Sequence, residues 1–403
     1  MAKIEGRGNR KRLFFKNQEM NFTILRALTA VYDNGAAIGE ILNVVQNTKK
    51  DDINFFVKEW RKIGDECIEK AVSAYNKNDL IRTKEFYLRA SNYYKSALNI
   101  LNPLDKRHKE FWQLSKNSFE KAGELMENPL EYLPVPYEGK VLPCYFISAN
   151  KNIKSPVIFL VTGGEGTNVE MYFWMGAYAL KNGYSVFLYE GPGNISTMYT
   201  SSLTMIPNSE KPIGKALDIL TIRNDVDVER IALLGISFGG YLVSRAAAFD
   251  KRIKAIIPDS PIRNIGRMLN SVFPSFIFKI PEWVFSLYKN KLLNYSDRAS
   301  LDLVLWDSGS KNLHDGLKKL EYYTVEGLEH NISCPTLALA GEDEGINFNK
   351  QAKEFLDNIN SNEKMLRIYK CAEGANFHCQ VNNTRLMNQE VIQWLNMIFN
   401  IQN

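Results

Sequence analysis

From residue 17 to about 130, apolar residues recur at helical spacing, as in Phe55, Trp60, Ile63, Cys67 and Val72 and again in Leu88, Tyr93, Tyr94, Leu98 and Leu101. Almost no alternation of β-branched residues interrupts them, so this part of the chain is expected to be wholly helical. Asp51-Asp52 stands where an N-cap and first-turn acids belong, and Asn102-Pro103 closes a helix. Beyond Leu130 the pattern changes. Leu130 to Gly139 reads as a linker, and short apolar runs follow at Val141–Ile147, Val157–Thr162, Ser185–Tyr189, Arg230–Leu234, Ile253–Pro258, Thr336–Ala340 and Met365–Tyr369. Helical stretches at Glu170–Lys181, Lys211–Ile222 and Tyr241–Phe249 separate several of them. Short buried strands alternating with helices predict an α/β protein with a doubly wound, mostly parallel sheet, whose reactive groups sit at the carboxyl ends of the strands.

One interval breaks the alternation. Residues from about 262 to 332 are helical and aromatic, with Met268, Val272, Phe273, Phe276, Phe278, Trp283, Val284, Phe285 and Tyr288, then Leu303, Leu305 and Trp306. Connections in such sheets are usually far shorter. The interval is therefore expected to be a cap insertion that roofs the site and lines an apolar or aromatic pocket. Two domains follow, a helical one over 1–134 and a catalytic one over 135–403. The aromatic helix pairs of the first resemble tetratricopeptide units, yet no repeat of fixed period is present. A lid, or a module forming a homodimer, is the expectation for it.

Composition narrows the class. A formal charge of +5 over 403 residues, spread along the chain, gives no reason to expect nucleic acid as a partner. Five scattered cysteines without C-x-x-C spacing predict free thiols in a reducing compartment and no structural zinc. The most apolar segment, Val272 to Leu287, is interrupted by Pro274, Lys279, Pro281 and Glu282 and is not expected to span a membrane. With no secretory signal pattern either, the expected location is the cytoplasm.

The chemistry centres on Arg230 to Gly240, RIALLGISFGG. A strand-like run leads into Gly235-Ile236-Ser237-Phe238-Gly239 and then into a helix, which is the G-x-S-x-G setting of a nucleophile elbow. Glycines two before and two after the serine permit a turn that a Cβ would obstruct. Ser237 would stand above the sheet, with the Phe238 N–H at the helix start facing any oxyanion. Two glycine turns, Val161 to Gly166 and Glu190 to Asn194, end neighbouring strands. The first is expected to supply the second oxyanion donor, from the N–H of Gly164 or Glu165. Neither has the spacing of a phosphate loop, and no metal or organic cofactor is expected.

A serine hydroxyl needs a base. Of four histidines, His108 lies in the helical region and His314 and His330 in or beside the insertion, leaving His378 in a loop after the last strand. The orienting acid should follow the strand Thr336–Ala340, in Gly341-Glu342-Asp343-Glu344-Gly345. Spacing from Gly341 selects Glu344. Asp343 is the alternative, because aspartate is the commoner residue in this role.

Several segments together resemble one branch of the α/β-hydrolase superfamily, which includes 2,6-dihydroxypseudooxynicotine hydrolase, FrsA-like esterases and fungal polyketide-shortening hydrolases. They are Val135-Pro136-Tyr137-Glu138-Gly139, Val161-Thr162-Gly163-Gly164, Glu190-Gly191-Pro192-Gly193, Gly235 to Gly240 with Arg245 to Phe249, and Gly374 to Asn383. The likeness covers residues of about 130 to 400. It implies a Ser-acid-His hydrolase whose helical N-terminal domain helps cover the site, often dimeric, cleaving a carbon–carbon bond beside a ketone, an ester or a thioester. The substrate is then a small molecule or an acyl thioester. The branch commonly has aspartate where this chain has Glu344, and Gln-Gly where it has Asn194-Ile195. The same groups could also serve a natural-product cyclase or acyltransferase, which would add no water to its product. A scaffold with a vestigial site is the remaining alternative, and it would not react with a fluorophosphonate.

Overall fold

A computed structural model describes residues 13–49, 51–272 and 280–401. Among these residues five α-helices come first: α1 (Gln18–Thr29), α2 (Ile38–Asn47), α3 (Ile53–Tyr75), α4 (Leu80–Ile100) and α5 (Lys106–Glu124). The Asp52 side chain caps α3 by accepting from the N–H groups of Asn54 and Phe55. Helix α4 stops at Ile100, just ahead of Asn102-Pro103.

The described residues then form ten strands: β1 (Glu131–Tyr132), β2 (Val135–Tyr137), β3 (Lys140–Leu142), β4 (Tyr145–Ile147), β5 (Ser155–Val161), β6 (Ser185–Tyr189), β7 (Val226–Ile236), β8 (Ala255–Asp259), β9 (Thr336–Gly341) and β10 (Lys364–Tyr369). Eight form one sheet in the order β1-β4-β6-β5-β7-β8-β9-β10, antiparallel at β1-β4 and β4-β6 and parallel from there on. The expected linker and first strand need correction. Leu130 to Gly139 carries β1 and β2. Glu138 and Gly139 both adopt positive φ, 48° and 71°, so they form a tight hairpin turn between β2 and β3. The run from Val141 to Ile147 is two strands, because Pro143 has no N–H to give a ladder and divides it. The expected helix Glu170–Lys181 is present, starting at Asn168 and widening to a π-helical stretch over Tyr172–Gly176.

Side chains alternate across the sheet, and both faces are buried. Ile158, Leu160, Ala232, Leu234, Leu337 and Leu339 enter an apolar cluster that runs without a break into Trp60, Tyr93, Phe111 and Phe119 of the N-terminal helices. Val157, Phe159, Val161, Ile231 and Leu233 face a second cluster, with Ile213, Leu217, Tyr241 and Phe355 of the covering helices. The N-terminal helices therefore share a core with one face of the sheet.

Register aligns the carboxyl ends. Val161 pairs with Gly235, Ile236 with Asp259, Asp259 with Leu339, and Gly341 with Tyr369. The loops after β5, β7, β8, β9 and β10 consequently open on one edge. Between β8 and β9 lie the helices Ile265–Val272, Glu282–Leu292, Tyr295–Asp307 and Leu313–Leu320 of the insertion. Phe273, Phe276 and Phe278 lie outside the described residues. No helix among the described residues is long and apolar enough to cross a membrane.

Candidate active site

Ser237 sits between β7 and the helix Phe238–Phe249 with φ 57° and ψ −121°, a conformation that side-chain-bearing residues rarely adopt. Two neighbouring glycines make the turn sterically feasible. A Cβ on Gly235 would overlap the Gly239 carbonyl, and one on Gly240 would overlap that of Ser260. The Ser237 N–H donates to the Asp259 carbonyl, fixing the turn to the end of β8.

His378 bridges this serine and one carboxylate. Its Nε2 lies 2.9 Å from Ser237 Oγ, and its Nδ1 lies 2.8 Å from Glu344 Oε1. Glu344 is fully buried and accepts two further hydrogen bonds, from the Cys379 N–H to Oε1 at 2.9 Å and from the Ser260 hydroxyl to Oε2 at 2.5 Å. Asp343 stands apart from the imidazole. Its carboxylate accepts from the Asn376 side chain at 2.7 Å, and its N–H donates to the Asn376 carbonyl at 3.0 Å. Asp343 thus braces the histidine loop, while Glu344 meets the ring.

Behind Glu344 lies a second carboxyl, Asp259, fully buried at the end of β8. Burial, and then the charge of Glu344, push its pKa well above the usual carboxylate range. Glu344, His378 and Cys379 bring metal-ligating atoms within 4.8 Å of one another. Both imidazole nitrogens are engaged, however, and burial pushes the Cys379 thiol far up, so the set does not present the thiolate and free imidazole that a metal requires.

The loop after β5 closes on the serine. A Cβ on Gly163 would lie 3.1 Å from the Ser237 Cβ, and Gly164 and Glu165 follow on the rim of the same cavity. The Phe238 N–H, first in its helix, has no acceptor within that helix. The side chain of Asn194 holds this loop to the next glycine turn, donating to the Gly163 carbonyl at 2.9 Å and accepting from the Gly191 N–H at 2.8 Å.

The cavity above Ser237 and His378 measures about 290 Å³. Its aromatic lining comes from Phe22 of α1, Trp174 and Phe238. The insertion contributes Ile265, Leu303, Val304, Asp307 and Leu320. Of the apolar or aromatic lining expected from the insertion, its described residues supply the apolar part, and its aromatic residues lie elsewhere. Trp283 is 68% exposed, Phe285 packs with Leu313 and Leu317, and Trp306 packs on His108 and Tyr199.

Sequence reasoning missed Arg26. From α1 its guanidinium bonds Glu165 at 2.6 Å and Glu170 at 2.5 and 2.6 Å, on the cavity wall. Burial works against its charge, but the two glutamates outweigh burial and leave its pKa above normal. Lys95 stands behind, 3.7 Å from Glu170, with its pKa lowered to about 8 by burial against the pull of that glutamate. No local signal singled out Arg26, because Glu19, Thr23 and Thr29 share its face of α1 and make one more polar residue there ordinary. Asn194 was noted only as a departure from the family pattern, and Asp307 carried no local signal.

A family model described as the alpha/beta hydrolase fold matches residues 156–377, and the chain belongs to that family. Among similar proteins, 20-hydroxy-prefusarin hydrolase FUS2 of Gibberella moniliformis is 28% identical, with 96% of this chain and 98% of that protein covered. The alpha/beta hydrolase psoB of Aspergillus fumigatus is 31% identical over 80% of this chain and 79% of its own. The solved structure of 2,6-dihydroxy-pseudo-oxynicotine hydrolase shares the fold with a TM-score of 0.73 at 17% identity, over 92% of this chain and 95% of that one. The protein is a hydrolase of this family.

Proposed function

We propose that the protein is a serine hydrolase in which Ser237 attacks a substrate carbonyl, His378 is the general base and Glu344 orients the imidazole. The observation that carries this reading is the continuous line from Glu344 through His378 to Ser237, with hydrogen-bond distances of 2.8 and 2.9 Å, at the floor of a cavity. As Ser237 Oγ bonds to the carbonyl carbon, its proton passes to His378 Nε2. The negative charge gathers on the former carbonyl oxygen, where the N–H groups of Phe238 and of Gly164 or Glu165 receive it. Collapse of the adduct expels an alkoxide, a thiolate or the enolate of a cleaved β-dicarbonyl, and His378 returns the proton to that group. Water, deprotonated by the same imidazole, then releases the acid from Ser237.

Glu344 holds the imidazole with Nδ1 protonated, so that Nε2 is the basic nitrogen facing the serine. The substrate class is a ketone with a cleavable carbon–carbon bond, an ester or a thioester, all of which pass through similar tetrahedral adducts. A fluorophosphonate probe tests the reading. Wild type should be labelled at Ser237, and Ser237→Ala should lose both label and turnover, the latter by roughly 10⁴-fold or more. Labelling that persists in the variant would remove Ser237 as nucleophile. Product mass then separates hydrolysis from cyclisation, because only hydrolysis adds water.

A further inference from the structure

The cavity has a polar group that the reaction above does not use. Asp307 ends the insertion helix Tyr295–Asp307 and lines the same cavity as Ser237 and His378. The residue is 5% exposed, and its Oδ1 has no hydrogen-bond partner among the described residues. Its backbone is pinned by the Met205 N–H, which donates to the Asp307 carbonyl at 2.7 Å. A buried polar atom left without a partner is costly, and such an atom on a cavity wall is complementary to a ligand that supplies the missing bond.

The surroundings determine the protonation state. Burial pushes the Asp307 carboxyl well above the usual range, and Glu165 adds to the shift, with only its own backbone N–H opposing it. The helix C-terminus, with its partial negative charge, acts in the same direction. A neutral carboxyl is a hydrogen-bond donor as well as an acceptor. Arg26, the cation on this wall, is bound by both Glu165 and Glu170. An anionic substrate group placed here would meet three acidic side chains and a guanidinium already engaged.

We propose that Asp307 is a specificity-determining residue that hydrogen-bonds a second, uncharged oxygen of the substrate, a ketone or hydroxyl remote from the carbonyl that Ser237 attacks. The favoured substrates are thus neutral, largely apolar carbonyl compounds with at least one further oxygen along the chain. The inference rests on the hydrolase reading and narrows its substrate class.

The test compares kcat/KM for p-nitrophenyl octanoate, for a series of p-nitrophenyl oxo-octanoates that walks the ketone along the chain, and for mono-p-nitrophenyl suberate, whose far end is a carboxylate. Wild type should prefer at least one oxo ester over octanoate by about tenfold, the worth of one buried neutral hydrogen bond, and should take the suberate least well. Asp307→Leu should abolish that preference, and Asp307→Asn, which keeps a donor, should retain it. Each ratio is taken within one variant, so a general loss of activity cancels. No oxo preference in wild type, a preference for the carboxylate, a preference that survives in Asp307→Leu, or one lost in Asp307→Asn would each overturn the proposal. Should Asp307→Leu fail to fold, the wild-type ratios and the Asn variant still decide. A wild type that hydrolyses none of these esters and takes no fluorophosphonate would instead overturn the hydrolase reading, and this proposal with it.

Discussion

Asn194 ties the two glycine turns together, its side-chain N–H donating at 2.9 Å to the carbonyl of Gly163, the residue whose α-carbon lies against Ser237. The peptide that would place the second oxyanion donor is thereby held from behind. A donor displaced by a fraction of an ångström stabilises the developing charge less well.

Asn194→Ala is therefore expected to lower kcat by about tenfold or more with little change in KM, because the lost stabilisation belongs to the transition state. Steady-state kinetics on a p-nitrophenyl ester checks this. A variant changed only in KM would mean that Asn194 shapes the pocket and not the oxyanion loop.

The two carboxylates after β9 should respond in opposite ways. Glu344→Gln removes the acceptor at His378 Nδ1 and should reduce turnover by about three orders of magnitude or more. Asp343→Asn leaves that bond intact and should cost less than about tenfold. The reverse ranking would move the orienting role to Asp343.

Asp259 gives a prediction about stability and pH. Its folded-state pKa is raised, so its contribution is fully present below the unfolded aspartate value near 4 and declines as pH rises toward the folded value. In that window the unfolded state releases a proton that the native state keeps, a loss of about 1.4 kcal/mol per pH unit. Denaturant titrations of wild type and Asp259→Asn from pH 5 to pH 7 should show the variant gaining on wild type as pH rises. Parallel pH profiles would show that Asp259 ionises normally in the fold.

Arg26→Met should destabilise the protein by about 3 kcal/mol or more, since Glu165 and Glu170 would keep their charges without the guanidinium. Adding Glu170→Gln should recover part of this loss. Chemical denaturation of the single and double variants measures the coupling, and simple additivity would indicate that the pair does not interact.

Local sequence was enough for the elements and for the elbow. Helical spacing in the first 130 residues, buried runs for β5 to β10, and glycines around Ser237 are short-range signals, because periodicity, capping and backbone sterics act over a few residues. The same logic failed where one residue redirected a segment, as Pro143 does in dividing β3 from β4. It also failed at Glu138-Gly139, where a hairpin lay inside an apparent linker.

What the sequence by itself determined, then, was the alternation of strands and helices, the serine at a sharp turn and a histidine past the last strand. Which carboxylate meets His378 depended on the tertiary structure. The parallel register of β9 with β10 sets the acid loop beside the histidine loop, and the bonds of Asn376 to Asp343 leave Glu344 facing the ring. Arg26 and Asp307 reach the cavity from segments far from Ser237 in the chain, one on α1 and one at the end of an insertion helix. Nothing within a few residues of either announces the neighbours it will have. Their charge states follow from burial and from groups brought close by packing, and only the folded chain specifies those.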